Sequence, residues 1–249
     1  MGKEMPHDAA GLRPLTARSV VLSVLLGAHP PRLPVRDLVR TGDLFGISDR
    51  TLRVALTRMV AAGDVLRDGS TYGLSDRLVA RQRRQDEAVA PRTVESWDGS
   101  WDLVAITATG RGPAERAALR DQLTALRLAE LREGLWLRPA NLRREWPPPE
   151  LTPVAELFTG APRSDAEELA ATLWDLNAWS TRATALLRIL TTATDPADRF
   201  TAAAASVRHL LGDPVLPPDL LPRNWPATEL REAYRAFQSE LIALAQRAR

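Results

Sequence analysis

The sequence predicts an α+β chain built from several small units. Between residues 15 and 75, three successive segments carry apolar residues at helical spacing, and a hairpin signal at Asp68-Gly69 follows them. Between residues 97 and 164, strand-like and helix-like patterns alternate as in a small α+β sandwich. From Asp165 onward the pattern is mostly helical, broken by a proline-rich stretch from Asp213 to Pro226. No internal repeat at solenoid spacing is present.

Residues 1–14 read as a disordered lead. Thr16 is placed to cap a first helix with Val20, Val21, Val24, Leu25 and Ala28 on its apolar face. Pro30, Pro31 and Pro34 end it and begin a second helix, where Val35, Leu38 and Val39 keep the same spacing. Gly42 closes that helix, Gly46-Ile47-Ser48 forms a tight turn, and Ser48 caps a third helix from Asp49 to about Ala62. Leu52, Leu56, Met59 and Val60 are expected on its inner face, with Gly63 as its stop. Val65 to Leu74 reads as two short strands around Asp68-Gly69.

Residues 76–96 are highly charged and read as a helical connector. A second unit, residues 97–164, opens with Trp97-Asp98-Gly99-Ser100-Trp101. Leu103 to Ala108 is strand-like, Pro113 to Leu128 helical, Leu135-Trp136-Leu137 a strand cut off at Pro139, and Val154 to Phe158 a further strand. Residues 165–249 form the helical C-terminal part.

Composition removes several chemistries. The 249 residues include no cysteine, which excludes disulfides, thiol nucleophiles and thiolate metal sites. His7, His29 and His209 are scattered, so no histidine-rich metal site is expected. No Gly-x-Gly-x-x-Gly or P-loop pattern occurs, and Gly110 to Gly112 lacks the following lysine, so no cofactor is implied. The longest strongly apolar stretch, Val20 to Leu26, is far too short to span a bilayer, and no apolar signal region follows the N-terminus. The expectation is a cytoplasmic protein without a membrane partner. Residues 1–90 carry 14 basic and 10 acidic side chains, and the remainder 19 and 21. Lys3 is the only lysine, so the positive charge is arginine, a residue suited to phosphate and guanine recognition.

Three helices followed by a hairpin is the order of a winged helix-turn-helix, in which the second helix braces the third and the third enters the major groove of DNA. The third helix places Arg50, Arg53, Thr57 and Arg58 away from its apolar face, where early arginines reach guanine edges or phosphates. Arg67, Ser70, Thr71 and Tyr72 are expected to bring the hairpin to the sugar–phosphate backbone. The competing reading of these arginines is an ordinary solvated helix face; the cap, the turn and the hairpin together favour double-stranded DNA.

Four blocks in order then resemble the PaaX-type regulators, the phenylacetate-degradation repressors and their relatives. They are Phe45-Gly46-Ile47-Ser48-Asp49-Arg50 with Arg53, Ala55-Leu56-Thr57-Arg58-Met59 and Gly63; Trp97-Asp98-Gly99-Ser100-Trp101; Gly134-Leu135-Trp136-Leu137-Arg138-Pro139; and Asp213-Pro214-x-Leu216-Pro217-x-x-Leu220-Leu221-Pro222-x-x-Trp225-Pro226. The resemblance spans about residues 15–245. It implies a winged helix, a ferredoxin-like middle domain and a helical C-terminal domain. It further implies a dimeric repressor, in some members released from DNA by an aryl-CoA thioester. Two positions depart from the family pattern: Ala227 stands where a glycine commonly follows Trp-Pro, and Ala205 stands where many members carry a histidine three residues before an arginine, here Arg208.

Trp174 and Trp179, read as lying on one helix, together with Trp225, Arg182 and Arg208, are the expected ligand-binding residues: aromatic walls for a flat acyl group and arginines for its phosphates. Core packing is the simpler role for any one of these tryptophans. Arg188 is a further arginine of that region, and His209 reads as structural. The alternative function is a metal-dependent nucleic-acid hydrolase on the middle domain, which resembles the fold of small CRISPR-associated nucleases. Asp98 and Asp102 are its only nearby acids; Asp98 reads as a turn residue and Asp102 as exposed, and no second carboxylate cluster is present.

Overall fold

The computed structural model describes residues 15–247, so the expected lead at 1–14 lies outside the described residues. The chain divides into two units. One takes the residues up to Val89, Thr181–Leu210 and those from Pro226 onward; the other takes Ala90–Ser180 and Leu211–Trp225.

In the first unit, α1 (Ala17–Gly27) begins at Thr16, whose hydroxyl accepts from Ser19 N while the Ser19 hydroxyl accepts from Thr16 N, a reciprocal capping box. Strand β1 (Arg32–Pro34) leads directly into α2 (Val35–Asp43), and α3 (Asp49–Ala61) follows a four-hydrogen-bond turn. Strands β2 (Val65–Asp68) and β3 (Thr71–Leu74) form the hairpin. Asp68 pairs with Thr71, so the loop is Gly69-Ser70, one residue later than the Asp68-Gly69 signal suggested, with Gly69 at φ +57°. The sequence reading missed β1. It pairs antiparallel with β3 and makes the wing three-stranded, in the order β1-β3-β2. Its proline, Pro34, is tolerable because β1 is an edge strand.

Gly42 explains how closely α2 approaches α3. A Cβ built there would stand 2.6 Å from Leu52 Cδ1, inside any permissible contact. Gly46, at φ +69°, then turns the chain toward Ser48. On α3, Leu52, Leu56 and Met59 are buried as expected, but Val60 is 38% exposed and is not an inner-face residue. It lies one residue past Met59, about 100° around the helix.

The charged segment after the hairpin is helical only as α4 (Asp76–Val89) and is packed into the first unit rather than standing free. Leu78 joins the winged-helix core. Gln82 donates to the Leu26 and Ala28 carbonyls at 2.9 and 2.8 Å, satisfying the open end of α1. The end of α7 (Leu176–Thr192), with α8 (Pro196–Leu210) and α9 (Ala227–Arg247), completes the unit. Their core joins Val20 and Ile47 to Phe200, Val207, Tyr234 and Phe237, and Phe45, in the turn before α3, meets Phe200 at 4.6 Å between ring centroids. The helix-turn-helix thus rests directly on C-terminal helices.

The second unit is a four-stranded antiparallel sheet of β4 (Trp101–Ile106), β5 (Ala129–Arg132), β6 (Leu135–Pro139) and β7 (Ala155–Gly160), with α5 (Pro113–Ala125) between β4 and β5. The spatial order β5-β6-β4-β7 is that of a ferredoxin-like sheet. Residues 140–154 join β6 to β7 without the second crossover helix of that fold. The short strand β5 was not foreseen, and α5 ends at Ala125 rather than Leu128 because Arg127 turns to φ +62°. Val104 packs with Leu119 and Leu123 of α5 on one face, while Trp101 and Leu137 pack with α6 (Ala166–Leu173) and Leu216 on the other.

Asp64, 3% exposed, follows α3 and accepts from Arg18 on α1 at 2.6 Å and from Arg77 on α4 at 2.5 Å. The hydrogen bond from Arg18 is the main cause that holds its carboxyl below the usual carboxylate range, against the opposing effect of burial. Its stabilising contribution is therefore complete above the unfolded pKa, ~3.9, and is lost as pH falls through the lower folded value. Asp64→Asn should cost ~1–3 kcal/mol at pH 7. Denaturant titrations at pH 7 and in acid should show this difference shrinking below about pH 4; a pH-independent difference refutes the assignment.

Candidate nucleic-acid interface

Helix α3 is amphipathic by construction. Its buried stripe is Leu52, Leu56 and Met59, and its exposed stripe runs Arg50, Arg53, Val54, Thr57 and Arg58 at three- and four-residue spacing. Ser48 stands before it with its hydroxyl accepting from Thr51 N at 3.3 Å, so Ser48 secures the helix start while remaining exposed. Arg53 Nε donates to Asp49 Oδ1 at 2.6 Å, one turn back. Thr57 Oγ1 donates to the Arg53 carbonyl. Arg50 and Arg58 share the wall of a cavity of about 590 Å³ with Val54 and α1. The face thus carries three arginines against the one carboxylate of Asp49. Arg53 is restrained by a surface pair of a kind that contributes little and yields readily to a competing anion.

Val54, 44% exposed, was not singled out from the sequence. Its signal was present: it lies four residues after Arg50 on the polar face. An apolar side chain there suits a thymine methyl group.

The wing is less uniform than expected. Arg67 and Ser70 are exposed, and Arg67 donates to the Gly69 carbonyl at 3.0 Å. Thr71 is half-buried. Tyr72, expected at the DNA backbone, is instead a core residue, 8% exposed among Leu38, Leu52 and Leu74, with Arg67 over its ring at 5.9 Å. Strand alternation explains the correction: Tyr72 shares the inward face with Leu74, while Thr71 and Gly73 face the other way.

The expected ligand residues are divided between the two units. Trp174 is not helical; it is the extended residue after α6 and stacks on Trp101 at 6.5 Å. Trp179, on α7, stacks on Trp225 at 4.5 Å and 18°. All three tryptophans belong to the second unit, whereas Arg182 and Arg208 belong to the first. Arg182 and Arg188 are exposed. Trp174 lines a cavity of about 300 Å³ and Arg208 a different one of about 760 Å³. Ala227 and Ala205, the two departures from the family pattern, are both buried.

The acids considered for metal chemistry are otherwise engaged. Asp98 accepts from Ser100 N at 2.9 Å and Ser100 Oγ at 2.5 Å, forming the turn in which Gly99 takes φ +86°. Asp102 is buried, not exposed, and sits opposite Arg138 on the neighbouring strand; burial raises its pKa against the pull of Arg144 and Arg138. Among the described residues, no group of three histidines or carboxylates has a metal-holding arrangement, and no helix is long and apolar enough to cross a membrane.

Known proteins match along almost the whole chain. Residues 16–78 match the PaaX-like protein family, residues 94–162 the PaaX protein central Cas2-like domain, and residues 167–248 the PaaX-like protein C-terminal domain. No match to a curated protein was found. The solved structure of an uncharacterized protein, Rv0674 from Mycobacterium tuberculosis, is similar at 47% sequence identity and a TM-score of 0.82, covering 94% of this chain and 99% of that one. With all three of its segments present in order, the chain belongs to the PaaX-like protein family.

Proposed function

We propose that this chain is a transcriptional repressor that binds double-stranded operator DNA as a homodimer and is released by a small ligand such as an acyl- or aryl-CoA thioester. The observation that carries the reading is the exposed stripe of α3, where Arg50, Arg53, Val54, Thr57 and Arg58 stand on a helix whose opposite face is buried. Arg50 and Arg53 are near the N-terminal end, where base edges come closest. Arg58 and the wing residues Arg67, Ser70 and Thr71 contact phosphates. Membership of a family of transcription regulators supports the same reading.

If Arg50 or Arg53 makes a bidentate guanine contact, its replacement by Ala costs ~1–3 kcal/mol of operator affinity and relaxes preference at one base position. Both are exposed, so thermal unfolding should be unchanged. Competition binding over randomised sites checks this; wild-type affinity and preference in both variants remove α3 as the reading helix.

One winged helix covers few base pairs, and a two-fold dimer reads half-sites about 34–36 Å apart or a multiple of that. The dimer is formed outside residues 15–75. Sedimentation of the full chain at micromolar concentration should give twice the 27.4 kDa chain mass. A monomer counts against the dimer.

Release by a thioester requires that ligand and DNA weaken each other by the same factor, typically ~5–150-fold. Calorimetric titration with a CoA-thioester panel, with and without operator, measures both sides. Equal thioester affinity in the two titrations removes the release mechanism and leaves DNA binding standing.

A further inference from the structure

The first unit holds a cavity of about 760 Å³, within the roughly 300–1,000 Å³ that small-molecule sites occupy. α1, β1, α2 and the residues flanking α1 supply one part of its wall, and α4, α8 and α9 supply the rest. Leu22, Leu26, Phe200 and Leu241 make that wall mainly apolar.

Among the polar side chains that interrupt it are Arg81 and Gln85 of α4 and Tyr234 of α9. None has a side-chain hydrogen bond or ion pair among the described residues. Gln85 is only 5% exposed. Gln82, one turn earlier on the same helix, shows the ordinary solution by donating to the α1 carbonyls. Arg81 is half-buried and faces like charge: burial first, then Arg84, Arg18 and Arg77, hold its guanidinium below the ordinary value.

The remaining charges on the wall do not relieve it. Arg18 is held by Asp64, Arg32 and Arg208 add positive charge, and Asp37, the one carboxylate of the lining, lies within 4 Å of Arg36 and Arg40. Asp86, on the same helix as Arg81, meets His29 at 3.0 Å, and after burial its charge is the second cause that raises the pKa of the Tyr234 hydroxyl. An apolar pocket with an uncompensated cation and two open hydrogen-bonding groups has the make-up of a site for a ligand with a greasy body and a negative head.

We infer that this cavity binds an amphipathic anion, with its apolar body against Leu22, Leu26 and Phe200 and its anionic head accepting hydrogen bonds from Arg81, Gln85 and the Tyr234 hydroxyl. The inference rests on the effector-released reading above and moves the effector site away from the tryptophans. Two sources share this chemistry, a free carboxylate and an acyl-CoA, and the test separates them.

The full chain is titrated by calorimetry, without DNA, with decanoate, decanoyl-CoA and decanol. At least one of the two anions should bind saturably at one per chain, with decanol at least tenfold weaker; whichever anion binds more tightly names the source. Loss of a charge-assisted contact in Arg81→Ala should weaken the anion by about tenfold and leave decanol unchanged. Ala204→Phe, which fills the cavity from α8, should abolish binding of all three, and thermal unfolding confirms that each variant is folded. If Ala204→Phe does not fold, Arg81→Ala decides alone. Failure of both anions to bind, or binding indifferent to Arg81→Ala, overturns the site. Operator affinity is measured separately: anion binding that leaves it unchanged keeps the site and removes the release mechanism.

Discussion

A helix can present a fixed row of arginines only if something else holds it in place, and in this chain that demand falls on one side of α3. Leu52, Leu56 and Met59 are buried to within 1%, which fixes the rotation of the helix about its axis. Gly42 fixes its approach to α2, since any side chain there would collide with Leu52. Asp64 fixes its far end by gripping α1 and α4 through two arginines. The polar stripe is what remains, and its geometry is inherited from these contacts. Arginine side chains are long and mobile; the precision of such a face comes from the buried residues beneath it.

Most of this was legible in the sequence. Apolar spacing, Thr16 and Ser48 as caps, and Gly46 and Gly69 as turn residues located the three helices and the hairpin with small errors at the ends. What escaped has definite causes. β1 and β5 are three and four residues long, and β1 is embedded among prolines, so neither yields a readable alternation. Val60 and Tyr72 were placed on the wrong faces because a short segment rich in apolar residues does not say which of two neighbours points inward. Val54 was overlooked because only polar side chains of that helix were weighed as DNA contacts. The packing of Phe45 on Phe200 was beyond reach altogether: periodicity tells which face of a helix is apolar and not which distant segment covers it.

Of the blocks that make the family recognisable, the first runs through α3 and the other three lie outside it. Trp97-Asp98-Gly99-Ser100-Trp101 is a locked turn in which Trp97 Nε1 donates to the Ser100 carbonyl and Asp98 holds Ser100. Gly134, at φ +78°, closes the turn between β5 and β6, and Arg138 within the same block is fully buried, donating to Pro139 and Asn141. Asp213 to Pro217 is a buried strap, tied by Asn141 to the Val215 carbonyl and by Arg127 to the Asp213 carbonyl. These residues build the second unit. Three of the four family blocks therefore serve the fold of the second unit, while the first runs through α3 and includes Arg50, Arg53 and Arg58 themselves.

The same separation bears on how a ligand could act. In the sequence the charged segment after the hairpin reads as a helical connector. In the folded chain that segment is α4, clamped to α1 by Gln82, and α8 touches the helix-turn-helix through Phe200. Packed contacts of this kind shift in discrete steps, because interiors are dense and have few alternative arrangements. A molecule lodged among Leu22, Leu26 and Phe200 would press on α1 and α8, the supports of α3, and on none of its arginines. Its effect would be on the position of the reading face as a whole. Strength of binding and choice of sequence would then be governed by different residues: the former by the supports, the latter by the exposed stripe of α3.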